Sequence, residues 1–271
     1  MSDATPSIEA RPAAEGIRWW IHLLLIGAYP IVLGVIGWQR SGAGQPALGH
    51  SAKGLLTSSG FGLGLFAAVF GLAWVASRAS RDELLFRWRP GFWVVPLGVA
   101  YSAAIRLALG LILLVLAMAA LLTRAATPET LQNFVLANRP DVETIVDVAS
   151  LRNNPVYFWL TLTLVSFVVA GLREELWRAA FLAGLRQLWP GKFGSRAGQL
   201  GAVLVAAVVF GLGHLPQGPL AVLAAALLGV GLGSIMVLHR SIWPAVIAHG
   251  MFDATSLALL PLVLEKLPHL K

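Results

Sequence analysis

Between Arg106 and Thr123 the chain reads LALGLILLVLAMAALL, sixteen residues without one charged or strongly polar side chain. A water-soluble fold has little use for such a run, whereas about 20 apolar residues are what a helix needs to cross a bilayer core. Similar runs recur to the end of the chain. Only helices and closed barrels satisfy their backbone hydrogen bonds inside lipid, and a barrel would show short alternating segments instead. The predicted fold is therefore all-α, a polytopic transmembrane helical bundle. Composition agrees: 57% of the 271 residues are hydrophobic and 12% are charged, against roughly a quarter charged in ordinary soluble domains. The mean hydropathy is +0.76.

The expected spans are 18–38, 56–77, 92–123, 156–188, 199–215, 219–238 and 243–264, which make one domain over 18–271 with seven or eight crossings. Residues 1–17 mix charges, small residues and prolines and read as a disordered polar tail. Trp19, Trp20 and Trp38 bound the first span and suit the membrane interfaces. The formal net charge is +7, yet the basic residues sit in short connections, where they act as orientation signals rather than as a nucleic-acid surface. Arg78, Arg81, Arg87 and Arg89, then Arg186, Lys192 and Arg196, then Arg240 fall on one side of seven alternating crossings. That side is expected to be cytoplasmic, together with the N-terminus, in a bacterial inner membrane. The absence of cysteine excludes disulfides, thiolate nucleophiles and thiolate metal sites.

Residues 124–154 form the long polar loop. Within it Val142, Ile145, Val146 and Ala149 follow the i, i+3, i+4, i+7 spacing of one helical face, which predicts a short interfacial helix, as a cap or as a gating lid. The segments 92–123 and 156–188 exceed one crossing. A straight helix over the second would reach about 50 Å against a core of about 30 Å, so it either tilts strongly or breaks near Gly171.

The acids within predicted spans are Glu174, Glu175 and Asp253, and the histidines well inside the later spans are His214 and His249. A charge at membrane depth costs at least about 2.5–3.5 kcal/mol, so such groups face the interior, pair, or serve a function. Glu174 and Arg178, Phe210 and His214, and His249 and Asp253 are each four residues apart and share a helix face. If the three patches converge, a shielded carboxylate can act as general base on water. The imidazoles can orient that water, shuttle its proton or stabilise an oxyanion. Such a set also suits a proton-coupled transporter, although no inverted repeat is visible. Two histidines and carboxylates leave a zinc ion open as cofactor, but the helical HExxH arrangement is missing. Arg106 is expected to pair with a carbonyl or an acid or to snorkel, and His22 and His239 to be interfacial. Gly229, Gly231 and Gly233 are expected to let helices pack closely.

REELWR (173–178), FGLGH (210–214) and HGMFD (249–253) resemble the three motifs of the CPBP family of intramembrane proteases, which groups CAAX proteases and bacteriocin-processing proteins. That family's pattern is EExxxR, FxxxH and HxxxN or HxxxD. The resemblance covers residues 156–255, and the first three spans carry no such motif. It implies a metal-independent glutamate protease without a cofactor. By position Glu174 would be the base, His214 its partner, and His249 with Asp253 the oxyanion group, with Arg178 and Phe210 in support. Arginine follows the glutamate pair one residue early here, so the division of labour between Glu174 and Glu175 stays open. Asp253, if ionised, would repel an oxyanion and must then be protonated or orient His249. The implied activity is hydrolysis of a peptide bond in a membrane-associated or lipidated peptide, with membrane lipid and that peptide as partners and no nucleic acid. A non-catalytic scaffold, immunity or regulatory protein is the alternative class.

Overall fold

The computed structural model describes residues 13–41 and 46–266, and its regular elements are all helical. In chain order they are α1 (Ala13–Ser41), α2 (Ala52–Ser77), a short 3-10 turn (Gly91–Trp93) leading into α3 (Val94–Leu122), α4 (Pro128–Ala137), α5 (Val148–Asn153) and α6 (Pro155–Leu160). A π-helical segment (Thr161–Leu172) continues α6 into α7 (Arg173–Leu188). Then come α8 (Pro190–Phe193), α9 (Arg196–Leu212), α10 (Pro219–His239) and α11 (Trp243–Lys266). Of the expected tail, residues 1–12 lie outside the described residues, and α1 begins at Ala13. Trp19 is buried and Trp20 exposed, while the side chain of Trp38 lies outside the described set.

Among the described residues six helices are long and apolar enough to cross a membrane. The expected count of seven or eight is thus too high by that measure, because the span read over 199–215 is α9, a helix of 17 residues. Even so, α9 runs between the same two ends of the bundle as its neighbours. At one end Arg186 donates to the Glu83 carbonyl, Ile242 N–H to Leu85 O at 2.9 Å, and Ser241 Oγ to Arg87 O at 2.7 Å. At the other, Ala47 N–H reaches Thr144 O at 2.8 Å and Asp141 N–H reaches Gln217 O at 3.0 Å. The basic connections named above gather at the first end.

The segment 156–188 neither breaks nor is purely α-helical. Through Thr161–Leu172 the ladder widens to the i to i−5 pattern, and Ser166 Oγ donates to Thr161 O at 3.0 Å. Such widened turns occur often at functional sites. Beyond it α7 is the central helix, buried from Trp177 to Leu185, with α1 on one side and α9 on another. α11 lies between α3 and the π segment.

The polar loop is more structured than its apolar stripe predicts, and differently so. It opens with α4 and then turns through 3-10 residues Val142–Thr144. Asp147 interrupts the stripe by capping α5, its carboxylate accepting from Ala149 N–H at 3.3 Å and from Ser150 Oγ at 2.8 Å. Burial pushes this carboxyl up, but its bonds from Ser150, His50 and Ala149 outweigh that and hold it below the ordinary value. Val146 and Leu151 are buried with Leu48, Leu55 and Tyr157, closing that end of the bundle.

Candidate active site

Pro30 has no N–H to return to the carbonyl one turn earlier in α1, so Ile26 O is left free. Trp177 Nε1 from α7 donates to it at 2.8 Å. This bond fixes α1 against α7 beside the charged run. On the other flank, α11 comes close because small residues allow it. A Cβ on Gly250 would lie 2.3 Å from the Phe167 ring, and one on Gly171 would lie 3.0 Å from Val246 O. His249 is thereby pressed against Glu175.

The two glutamates have different surroundings. Glu175 is fully buried; its Oε1 accepts from His249 Nδ1 at 2.9 Å and pairs with the buried Arg178 guanidinium. The expected Glu174–Arg178 pair is therefore replaced by Glu175–Arg178, three residues apart. Glu174 instead pairs with Arg173 at 2.8 Å and keeps one-fifth of its side chain exposed. Its second oxygen stands 3.8 Å from His249 Nε2, and Asp253 Oδ2 stands 3.7 Å from the same nitrogen. Both gaps are too long for direct hydrogen bonds and short enough for one bridging water.

Phe210 joins the patches. The Arg178 guanidinium lies 4.6 Å over its ring, and the rings of His214 and His249 are centred 4.7 and 6.3 Å away. His214 Nδ1 donates to Phe210 O at 2.9 Å, because a carbonyl only accepts, so this bond engages Nδ1 and not Nε2.

A cavity of about 200 Å³ is lined by Tyr29, Arg173, Glu174, Trp177, Phe210 and His214, with Ile145 and Gln217 at its rim. Glu174 and His214 thus face one chamber, whereas Glu175, His249 and Asp253 stand behind Glu174 and do not line it. The residue counts from the basic end show how they meet. Counted from the basic end at 1.5 Å per residue, Glu174 lies about 21 Å in and His214 about 27 Å in, roughly one helical turn apart.

Arg106 on α3 donates to Phe252 O, to Thr255 Oγ1, to Ser256 Oγ at 3.1 Å and to Ser102 Oγ at 3.2 Å. It lies within electrostatic reach of Asp253. Each of the three acids therefore has a guanidinium of its own, which limits the field that a buried cluster would otherwise carry. His22 is not interfacial: it is 1% exposed, its ring nitrogens set 3.0 Å from Ala73 O and 2.9 Å from Ala180 O, linking α1, α2 and α7. His239 shares a 2.8 Å hydrogen bond with Tyr101 at the end of α10. Gly229 and Gly233 meet Ala207 and Val203 of α9, and Gly231 meets Ile105, which is the close packing expected of them. Among the described residues no group of three or more His, Cys, Asp or Glu side chains is arranged to hold a metal ion.

Residues 155–255 match the Rce1-like family, described as type II CAAX prenyl endopeptidase. The matched stretch holds all three motifs, and it carries the likeness to the CPBP and CAAX protease group read from them. It supports a protease role for this integral membrane protein. No curated protein and no solved structure matches the chain.

Three polar cavity residues were not singled out for this role by sequence reasoning, Tyr29, Arg173 and Gln217. Tyr29 had one visible signal: it precedes Pro30 in the middle of an apolar run, where a proline marks a carbonyl in need of a partner from another helix.

Proposed function

We propose that the protein is an intramembrane endopeptidase in which Glu174 draws a proton from a water held in the cavity. The water oxygen bonds to the scissile carbonyl carbon, Glu174 takes the proton, and the same proton passes to the departing amine as the carbon–nitrogen bond breaks. His214, its Nδ1 bound to Phe210 O, orients the water through Nε2. Glu175, clamped between Arg178 and His249, fixes the electrostatics behind the base, and Asp253 orients His249 through a bridging water rather than contacting an oxyanion. The observation that carries this reading is the cavity shared by Glu174 and His214 inside the stretch that matches a protease family.

The substrate class follows from the same place. An apolar groove of about 480 Å³, lined by Ile31, Val35, Val209, Leu212 and Leu215, adjoins the cavity and shares Pro30 and Gly213 with it. It suits a chain attached to a peptide, so a lipidated peptide of the prenylated CAAX kind is the substrate we assign. Hydrolysis by this route needs neither metal nor cofactor. The test compares membrane peptides from cells carrying wild type or Glu174→Gln, with and without chelator. A product made only by wild type and unaffected by chelation supports the reading. Identical peptide profiles would reject hydrolysis, and loss of product on chelation would reject the metal-free route.

A further inference from the structure

Attack on a carbonyl creates an anionic oxygen, and neither His249 nor Asp253 lines the cavity where that oxygen must form. Asp253 would in any case oppose it if ionised. Two residues that line the cavity carry donor atoms without a hydrogen-bond partner of good geometry. Tyr29 is 8% exposed, and its Oη makes no hydrogen bond of good geometry to any described residue, although it lies beside the Arg173 guanidinium. Arg173 spends Nη2 on Glu174 Oε1 and leaves its buried Nε–H unpartnered. A buried polar hydrogen without an acceptor is costly and therefore calls for a ligand. Among the described residues such orphaned side-chain groups are few, and two of them belong to residues that line the same 200 Å³ chamber as Glu174 and His214.

We propose that Tyr29 Oη–H and Arg173 Nε–H, converging from α1 and α7, form the site that receives the oxyanion of the tetrahedral intermediate. The proposal rests on the hydrolytic reading above. Arg173 then links both halves of the chemistry, holding one carboxylate oxygen of the base by Nη2 while Nε and its positive charge face the developing oxygen. Tyr29 is set by the helix register that the Trp177 to Ile26 bond imposes one turn away. Its ring is held edge-on against Phe66 with centroids 5.3 Å apart, so a phenylalanine in its place keeps the packing and loses only the hydroxyl.

The experiment uses the full chain in liposomes with a fluorogenic farnesylated CAAX peptide as substrate and a peptide phosphonate as a tetrahedral, anionic mimic. Loss of one oxyanion donor lowers kcat by about 10²–10³-fold. Tyr29→Phe is therefore expected to lose about 10²-fold in kcat with KM and thermal midpoint unchanged, and to bind the phosphonate more weakly by a matching factor. Arg173→Lys, which keeps the charge but lacks Nε–H, is expected to lose kcat as well. If Tyr29→Phe turns over at the wild-type rate while Glu174→Gln is inactive, the oxyanion assignment is overturned and the role of Glu174 stands. If Glu174→Gln cleaves as fast as wild type, the hydrolytic reading fails and this assignment with it.

Discussion

Glu174 and Glu175 are neighbours on one helix turn, yet one faces a chamber and the other faces only protein. A fully buried carboxylate is tolerable because Arg178 and His249 both meet it. Removing one partner of such a pair leaves an uncompensated charge and costs about 3–5 kcal/mol, whereas neutralising both costs far less. Arg178→Met is accordingly expected to lower the unfolding midpoint sharply in detergent, and Arg178→Met combined with Glu175→Gln to recover most of it. Equal stability of single variant and wild type would contradict the assignment of this pair. Much of this was legible residue by residue, since charges in apolar helices and their four-residue spacing advertise themselves. The pairing partners were not: both Glu174 and Glu175 lie within reach of Arg178 on a helix, and only the fold shows that Arg173 takes Glu174. Tyr29 was hidden for a different reason, because a tyrosine in an apolar run is an ordinary interfacial residue until its hydroxyl is seen without a partner.

At the scale of elements, the site depends on how closely α11 approaches the π segment. Gly250 faces the Phe167 ring with no room for a methyl group, and His249 is its neighbour in the chain. Gly250→Ala is expected to cost about 1–3 kcal/mol by overpacking. It should also reduce cleavage by moving His249 off Glu175, while Phe167→Ala in the same chain should relieve the clash and return stability. An alanine variant as stable and active as wild type would show that this contact does not set the helix position. The existence and order of the long helices could be read from hydropathy alone. Helix type could not, because Thr161–Leu172 is as apolar as any α-helical span and nothing in its residues marks a widened ladder. The stripe over 142–149 misled because Asp147 stands within it, and its carboxylate stabilises a new helix start more than the stripe stabilises a continuous one.

For the whole molecule, a bundle with its basic connections at one end has its chamber nearer the other, rimmed by Ile145 and Gln217. Counted from the basic end, His214 just beyond α9 comes within about one helical turn of the level of Glu174 on the central helix. The apolar run read over 199–215 is as long as α9 but shifted by three residues, because hydropathy does not show that the helix starts at Arg196 behind its Ser195 cap. The central claim is that Glu174 activates water while Glu175 holds the architecture. The most direct test measures turnover of the farnesylated CAAX peptide by purified Glu174→Gln and Glu175→Gln in liposomes, beside their unfolding midpoints. A general base contributes about 10²–10⁴-fold. The account predicts that Glu174→Gln folds like wild type and loses turnover by at least 10²-fold, while Glu175→Gln loses stability first. Wild-type turnover by a well-folded Glu174→Gln would contradict it.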